Sequence, residues 1–181
     1  MTITVSAKDD GCPPNFSLEL AVLQHRGSSR TFGGKEAMKE AVLTTAVDLL
    51  QRHLQTLVAD PEQWQTLIAG DIVWELAYAP ALGHPARLSG RGEVMRHVAW
   101  FLGAVENFRF FDLRLYAFAD PQGAAAEVRA EGLIKPTGRT YRQDYVLFLR
   151  AAGGKIVFLR EYFDPVRAAK ALNTPILGLE S

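Results

Sequence analysis

The chain has 181 residues, with 20 basic and 20 acidic side chains and a formal net charge of zero. This balance, without any run of Lys and Arg, argues against binding to nucleic acid or to an anionic membrane surface. The single cysteine, Cys12, excludes an internal disulfide framework and a cysteine metal cluster, and the four histidines have no metal-ligand spacing.

Residues 1–34 differ in composition from the rest of the chain. They are rich in Gly, Pro and Ser, with one short apolar stretch, so we expect an N-terminal extension that is partly disordered or peripheral. Lys8, Asp9 and Asp10 stand where a signal peptide needs apolar residues, and no apolar run approaches the ~18 residues of a membrane span. We therefore expect a cytoplasmic protein whose folded domain is 35–181.

The first predicted elements are two helices. Beginning at Lys35, apolar residues recur at steps of three and four and predict a helix of about six turns. A short second helix should follow Asp60, which is a natural N-cap, with Pro61 as its first residue. His53 lies on the apolar face of the first helix, and we interpret it as a hydrogen-bonded core histidine.

The remaining pattern is mainly that of strands. A strand over 71–79 and a proline-containing loop precede a helix over about 90–105, which Ser89 can cap. Turn-rich tetrapeptides then separate four further strands, and such short connections make antiparallel neighbours. These strands and a terminal helix are predicted over 109–119, 124–135, 140–150, 155–163 and 165–172. The order of elements indicates an α+β domain.

The last strand contains an unexpected carboxylate, Glu161. Side chains alternate across a strand, so Glu161 shares a face with apolar residues, namely Val157, Leu159 and Phe163. Such a placement is costly unless the carboxyl is paired, hydrogen-bonded or protonated. The simplest hairpin registers put Arg142 and Asp144 on this face. Glu161 is therefore either a functional carboxylate or half of an ion pair with Arg142, and Asp144 is a possible neighbour.

Several short motifs resemble one protein family. One motif lies on the helix predicted over about 90–105 and consists of Gly90, Arg91, His97 and Trp100. Two more, Glu131–Gly132 and Tyr141–Arg142, lie on the second and third of the four strands. The last is "GKIVFLREYFDP", which contains the fourth strand. Over 36–172 the chain resembles the SnoaL-like family, which has the nuclear transport factor two and ketosteroid isomerase fold. Within that family it resembles the phenazine-biosynthesis A/B proteins. The resemblance implies a cone-shaped, curved antiparallel sheet with helices over its concave face, and a homodimer.

The resemblance also implies a function. It makes Glu161 and His97 acid/base groups inside the cone, with Tyr141 as a pocket hydroxyl, and it implies no cofactor. The reaction would be isomerisation, cyclisation or condensation of a small cyclic ketone or amino ketone. Aromatic residues and the strand register add further candidates for substrate binding, which are Trp74, Phe101, Tyr145 and Asp144. The alternative is a non-catalytic protein that uses the same cone to bind a small molecule or as a scaffold.

Two positions depart from the family pattern. Phe101 stands where the family has a small hydroxyl residue one turn after the histidine. The segment Gln63–Gln65 stands where the family has a basic residue. Both differences make the predicted pocket more apolar and less suited to an anionic substrate, so the expected ligand is a small, mostly apolar or cyclic organic molecule.

Overall fold

The structure is a computed structural model that describes residues 44–178. The predicted extension, 1–34, and the first part of the predicted long helix lie outside these residues. The helices and strands follow one another in the predicted order, with one additional short strand. In chain order they are α1 (Ala46–Ala59), α2 (Pro61–Gln65), β1 (Ile68–Leu76), β2 (Arg87–Ser89), α3 (Gly90–Ala104), β3 (Val105–Ala117), β4 (Gly123–Ile134), β5 (Arg139–Ala152), β6 (Lys155–Tyr162) and α4 (Pro165–Leu172).

Side-chain caps set the limits of the first two helices. Thr45 has an extended backbone and forms a capping box: its hydroxyl accepts a hydrogen bond from the Asp48 N–H, and the Asp48 carboxylate accepts one from the Thr45 N–H. Helix α1 therefore starts at Ala46, and the prediction of one helix running through this position from Lys35 is wrong. Asp60 caps α2 by accepting from the Gln63 N–H at 2.9 Å, as predicted.

The strands form one six-stranded sheet in the order β2-β1-β6-β5-β4-β3. The predicted four-stranded antiparallel meander is confirmed as β3 to β6. Strand β1 joins the meander by pairing parallel to β6, and β2 pairs antiparallel to β1. The parallel pair is possible because β1 and β6 are separated in the chain by a long connection that contains α3 and β3 to β5. Helix α1 packs on β3, β4 and β5, α3 on β1, and α4 on β5.

A β-bulge in the β5–β6 hairpin determines which face Glu161 occupies. Ala151 pairs with Ile156, but Arg150 pairs with Phe158, so Val157 is an extra residue. The one-residue shift places Glu161 opposite Leu147. The predicted register, with Arg142 and Asp144 on the face of Glu161, is therefore wrong, because a one-residue slip moves every side chain to the opposite face.

The two faces of the sheet are covered unequally. On the inner face, the buried Gln143 amide fixes the start of α4 through two bonds with the Asp164 backbone, donating at 2.7 Å and accepting at 3.0 Å. On the outer face, four aromatic or aliphatic side chains remain between 37% and 44% exposed, and these are Tyr116 of β3, Phe118 of the turn after β3, and Val146 and Phe148 of β5. Among residues 44–178, the helices therefore cover only the inner face.

Candidate active site

Two adjoining cavities lie between the inner face of the sheet and the helices. The outer cavity has a volume of about 90 Å³ and the inner cavity about 60 Å³. Four residues line both and so mark the boundary between them, namely His97, Phe101, Tyr145 and Glu161. The outer cavity is otherwise lined mainly by apolar residues of β1, α3 and α4, and the inner cavity by residues of α1, β1 and β3.

Glu161 reaches these cavities from the end of β6. Its side chain has no ion-pair or hydrogen-bond partner among residues 44–178. Arg142 instead lies on the opposite face, 3.6 Å from the Glu131 carboxylate, which rules out the alternative in which Arg142 forms an ion pair with Glu161. Because its surroundings are largely apolar, burial raises the pKa of the Glu161 carboxyl to about 8. Glu161 is therefore mostly protonated at pH 7.

His97 faces the same cavities from α3. Its ring lies between Trp74, at a centroid distance of 6.2 Å, and Trp100, at 5.6 Å. Burial lowers the pKa of His97, and the nearby His84 lowers it further because two imidazolium ions repel. The imidazole is therefore neutral at pH 7. No hydrogen bond joins His97 to Glu161 in the described part of the chain.

Two tyrosines of β5 lie beside Glu161, which is on the neighbouring strand β6. Tyr141 and Tyr145 are both buried, and their hydroxyl oxygens are 2.7 Å apart. Burial is the main cause that raises the pKa of both phenols, and the adjacent Glu161 charge adds to the rise. Both hydroxyls therefore stay protonated, and one of their two protons forms the shared bond.

The predicted aromatic residues line the cavities as well. Phe101 lines both cavities and packs edge-on against Phe108 at 5.0 Å. Trp74 lines the inner cavity, and its buried Nε1 has no acceptor among residues 44–178. His84 and the exposed Trp100 line the outer cavity with centroids 4.9 Å apart, and neither was predicted as a site residue.

Asp144 is not part of the site, contrary to the prediction. Its side chain is 56% exposed on the outer face, where it accepts hydrogen bonds from Arg167 and Arg129 at 2.5 and 3.2 Å. Arg167 is the main cause that lowers the pKa of Asp144. The bulge at Val157 explains the error, since it turns Tyr141, Tyr145 and Glu161 inward together. Val157 also lines neither cavity, whereas Phe163 lines the outer one.

His53 is the buried core histidine that the sequence predicted. It accepts a hydrogen bond at Nδ1 from the Trp64 Nε1–H at 2.9 Å. Burial lowers its pKa to about 4, so the ring is neutral. His53 also lines the inner cavity, which its position on α1 alone did not reveal.

The arrangement brings a protonated carboxyl and a neutral imidazole to one largely apolar cavity. Glu161, whose pKa is raised toward neutrality, can donate a proton near pH 7, and the neutral His97 imidazole can accept one. Within residues 44–178, no group of three or more His, Cys, Asp or Glu is placed to hold a metal ion. Over the same residues, no helix has the length and apolar character needed to cross a membrane.

The comparisons with known proteins agree with the fold. The SnoaL-like domain family matches residues 46–159. An uncharacterized PhzA/B-like protein of Pseudomonas aeruginosa is 32% identical over 129 residues, which are 71% of this chain and 90% of the relative.

Two solved structures show the same architecture. A Bacillus subtilis protein proposed to be an isomerase has a TM-score of 0.66 at 26% identity, with 73% of this chain and 95% of that one covered. A phenazine biosynthesis-related protein of P. aeruginosa has a TM-score of 0.64 at 18% identity, with 81% and 93% covered. The chain therefore belongs to the SnoaL-like family and has the fold of the nuclear transport factor two and ketosteroid isomerase proteins.

Proposed function

We propose that this protein is a cofactor-independent acid/base enzyme that acts on a small cyclic ketone or amino ketone. One observation carries the proposal: Glu161 and His97 line the same two cavities, and burial displaces their pKa values in opposite directions. At pH 7 the carboxyl is a proton donor and the imidazole a proton acceptor, which are the two forms that enolisation of a ketone needs.

The proposed steps balance one proton at each group. The His97 imidazole removes a proton from the carbon next to the carbonyl, while the Glu161 carboxyl donates its proton to the carbonyl oxygen. The resulting enol then regains a proton on carbon from the His97 imidazolium and returns the oxygen proton to Glu161. If the ketone also has a carbon–carbon double bond, reprotonation of the dienol at its far carbon moves that double bond and isomerises the ketone. Alternatively, the enol carbon attacks a second carbonyl or imine, whose π bond breaks as the new carbon–carbon bond forms. The enol O–H proton then returns to Glu161 and the His97 imidazolium protonates the new oxygen or nitrogen, so that two molecules are joined or a ring is closed.

The tyrosine pair would assist the same step. Tyr145 lines both cavities beside Glu161, and its hydroxyl is bonded to that of Tyr141. A hydroxyl group fixed in a largely apolar cavity stabilises negative charge as it develops on a substrate oxygen, without reorganisation of solvent. The apolar lining and the absence of a lining Lys or Arg among residues 44–178 favour a neutral substrate over an anionic one.

The relatives support this class of chemistry. The Bacillus subtilis structure at 26% identity is proposed to be an isomerase, and the more distant P. aeruginosa structure is related to phenazine biosynthesis. Condensation in the manner of the phenazine A/B proteins is thus one form that the proposed reaction can take.

We further propose that the protein works as a two-fold homodimer. The outer face of the sheet keeps exposed aromatic and aliphatic side chains, including Phe148 and Phe118, that its own described helices leave uncovered. Exposed apolar patches of this kind mark interaction surfaces, and a second copy would cover the patch most simply.

The experiment that tests the function uses cyclohexanone in D₂O. Proton NMR follows the loss of the protons next to the carbonyl, which are exchanged for deuterium in the enolisation that forms the first proposed step. The wild type should accelerate the exchange over buffer, and Glu161→Gln and His97→Gln should each lower the enzymatic rate by about two to four orders of magnitude.

A matched control is Glu131→Gln, which makes the same change in a carboxylate on the outer face, bonded there to Arg109. It should exchange at the wild-type rate. If the wild type binds cyclohexanone but exchanges its protons no faster than buffer, the protein binds small molecules without catalysis and the proposal fails.

A further inference from the structure

Two residues that line the inner cavity, Trp74 and His53, have N–H groups without an acceptor among residues 44–178. From them we propose that the inner cavity is a binding subsite for a neutral, hydrogen-bond-accepting oxygen, with Trp74 Nε1–H and His53 Nε2–H as its donors. The substrate would then insert its carbonyl oxygen into the inner cavity and keep its ring in the outer one. This orientation deepens the proposed function and rests on it for the reaction, but it can be tested by binding alone.

The bond from Trp64 fixes the donor at His53. An indole N–H can only donate, so the Nδ1 of His53 that receives it carries no proton. A neutral imidazole then carries its one proton on Nε2. No residue among 44–178 accepts a hydrogen bond from this Nε2, and His53 lines the inner cavity. Trp64 therefore acts as a positioning residue that holds His53 in the donor tautomer.

Trp74 supplies the second unused donor. Trp74 is only 4% exposed, and its Nε1 has no partner in the described chain. A buried polar group without a partner is costly, so native proteins keep few of them without a reason. The Trp74 ring lies next to that of His53, with centroids 5.7 Å apart, and both residues line the inner cavity.

The remaining lining decides which group fits. Glu161 and Tyr145 are the other polar groups beside His97, and the rest of the inner lining is apolar, formed by Leu57, Val98, Phe101, Phe108, Phe110 and Leu147. In the described part of the chain no Lys or Arg lines the inner cavity, so a carboxylate or phosphate would lack a counter-charge there. A ketone oxygen needs only donors, and the charge that it gains on enolisation would be stabilised by them.

The experiment compares two probes of nearly equal shape, cyclohexanone and methylenecyclohexane, of which only the first has an acceptor. The chain has three tryptophans, so a ¹⁵N–¹H spectrum contains three indole N–H signals, and Trp74→Phe identifies that of Trp74. Cyclohexanone should shift the Trp74 signal downfield, as a new hydrogen bond does, whereas methylenecyclohexane should not. The Trp64 signal should stay in place, because that N–H is already bonded to His53.

Affinities give the second measurement. Trp74→Phe should weaken cyclohexanone binding by about three- to tenfold, the usual effect of one net hydrogen bond, and leave methylenecyclohexane binding the same. Trp100→Phe, at the outer cavity, should change the affinity for both probes by the same factor.

Three results would overturn the subsite: a ketone that shifts only the Trp100 signal, a ketone that shifts none, or equal shifts with both probes. They would show that the Trp74 N–H is satisfied within the protein, for example by an imidazole face. A shifted Trp74 signal without α-proton exchange would support the subsite and refute the catalysis. Exchange without the shift would refute the subsite alone.

Discussion

Replacing Glu161 by Gln should make the protein more stable relative to the wild type as the pH rises. The pKa of Glu161 is raised from 4.5 to about 8 in the folded protein. Between these values the folded carboxyl keeps a proton that the unfolded chain releases. The stability that this group contributes is therefore fully present below pH 4.5 and is lost as the pH rises toward 8. Gln has the same shape and no such loss.

The size of the effect follows from linkage. Each pH unit in this window changes the relative free energy of unfolding by about 1.4 kcal/mol. From pH 4.5 to 7 the difference would reach about 3 kcal/mol. Because Glu161 is only partly buried, solvent screens part of its charge, and we expect about 2 to 3 kcal/mol in favour of the Gln variant.

Urea unfolding of both proteins, followed by tryptophan fluorescence at several pH values, measures this difference. Comparing the two proteins removes the contribution of His53, whose lowered pKa acts on both alike. The control is Glu131→Gln, since Arg109 is the main cause that lowers the pKa of Glu131. Its stability relative to the wild type should stay constant between about pH 6 and pH 8. A Glu161→Gln variant that is less stable than the wild type at every pH would show a structural ion pair and refute the reasoning.

Two further results are expected. Light scattering at micromolar concentration should give about twice the chain mass of 20.0 kDa, and Phe148→Lys on the outer face should lower it toward one chain mass; a wild-type monomer would contradict the proposed dimer. Asp144→Asn should leave the exchange rate of cyclohexanone within about twofold of the wild type and change stability by no more than about 1 kcal/mol, because it removes only exposed ion pairs. A large loss of exchange would show that Asp144 takes part in the reaction after all.

The order of elements could be predicted from the sequence because it depends on local patterns. The Asp60–Pro61 helix start and the meander of four strands follow from capping and turn chemistry, and the structure confirms both. The predicted tetrapeptide turns are only partly right, because the three connections are residues 118–122, 135–138 and 153–154. The parallel pairing of β1 with β6 could not be predicted in this way, because it joins segments at opposite ends of the domain and no local signal marks it.

The composition of the site depended on one extra residue. Nothing in the apolar run around Val157 marks it as a bulge, since any residue in that run would suit a regular strand. Once the bulge is present, the inward row of β5 becomes Tyr141, Gln143 and Tyr145 in place of the charged row that contains Asp144. The prediction that the Glu161 carboxyl lies in apolar surroundings is confirmed. This prediction depended only on whether this end of β6 faces the core, and not on the register of β5.

The family motifs divide into structural and cavity-lining parts. Arg91 donates to the Ile68 carbonyl and ties α3 to β1, and Gly132 lets β4 approach the Phe108 backbone closely. His97, Trp100 and Glu161 line the cavities. A motif match alone could not separate these roles, since packing and chemistry both restrict residue type.

The pH dependence of cyclohexanone exchange tests the central claim, that Glu161 and His97 are the acid and the base, most directly. The wild-type rate should follow a bell. It should fall at low pH as His97 gains a proton, with a midpoint below its ordinary pKa of 6.5, and fall at high pH as Glu161 loses one, with a midpoint near 8. The residual rate of His97→Gln should lack the low-pH limb, and that of Glu161→Gln the high-pH limb. A high-pH limb that persists unchanged in Glu161→Gln would contradict the account.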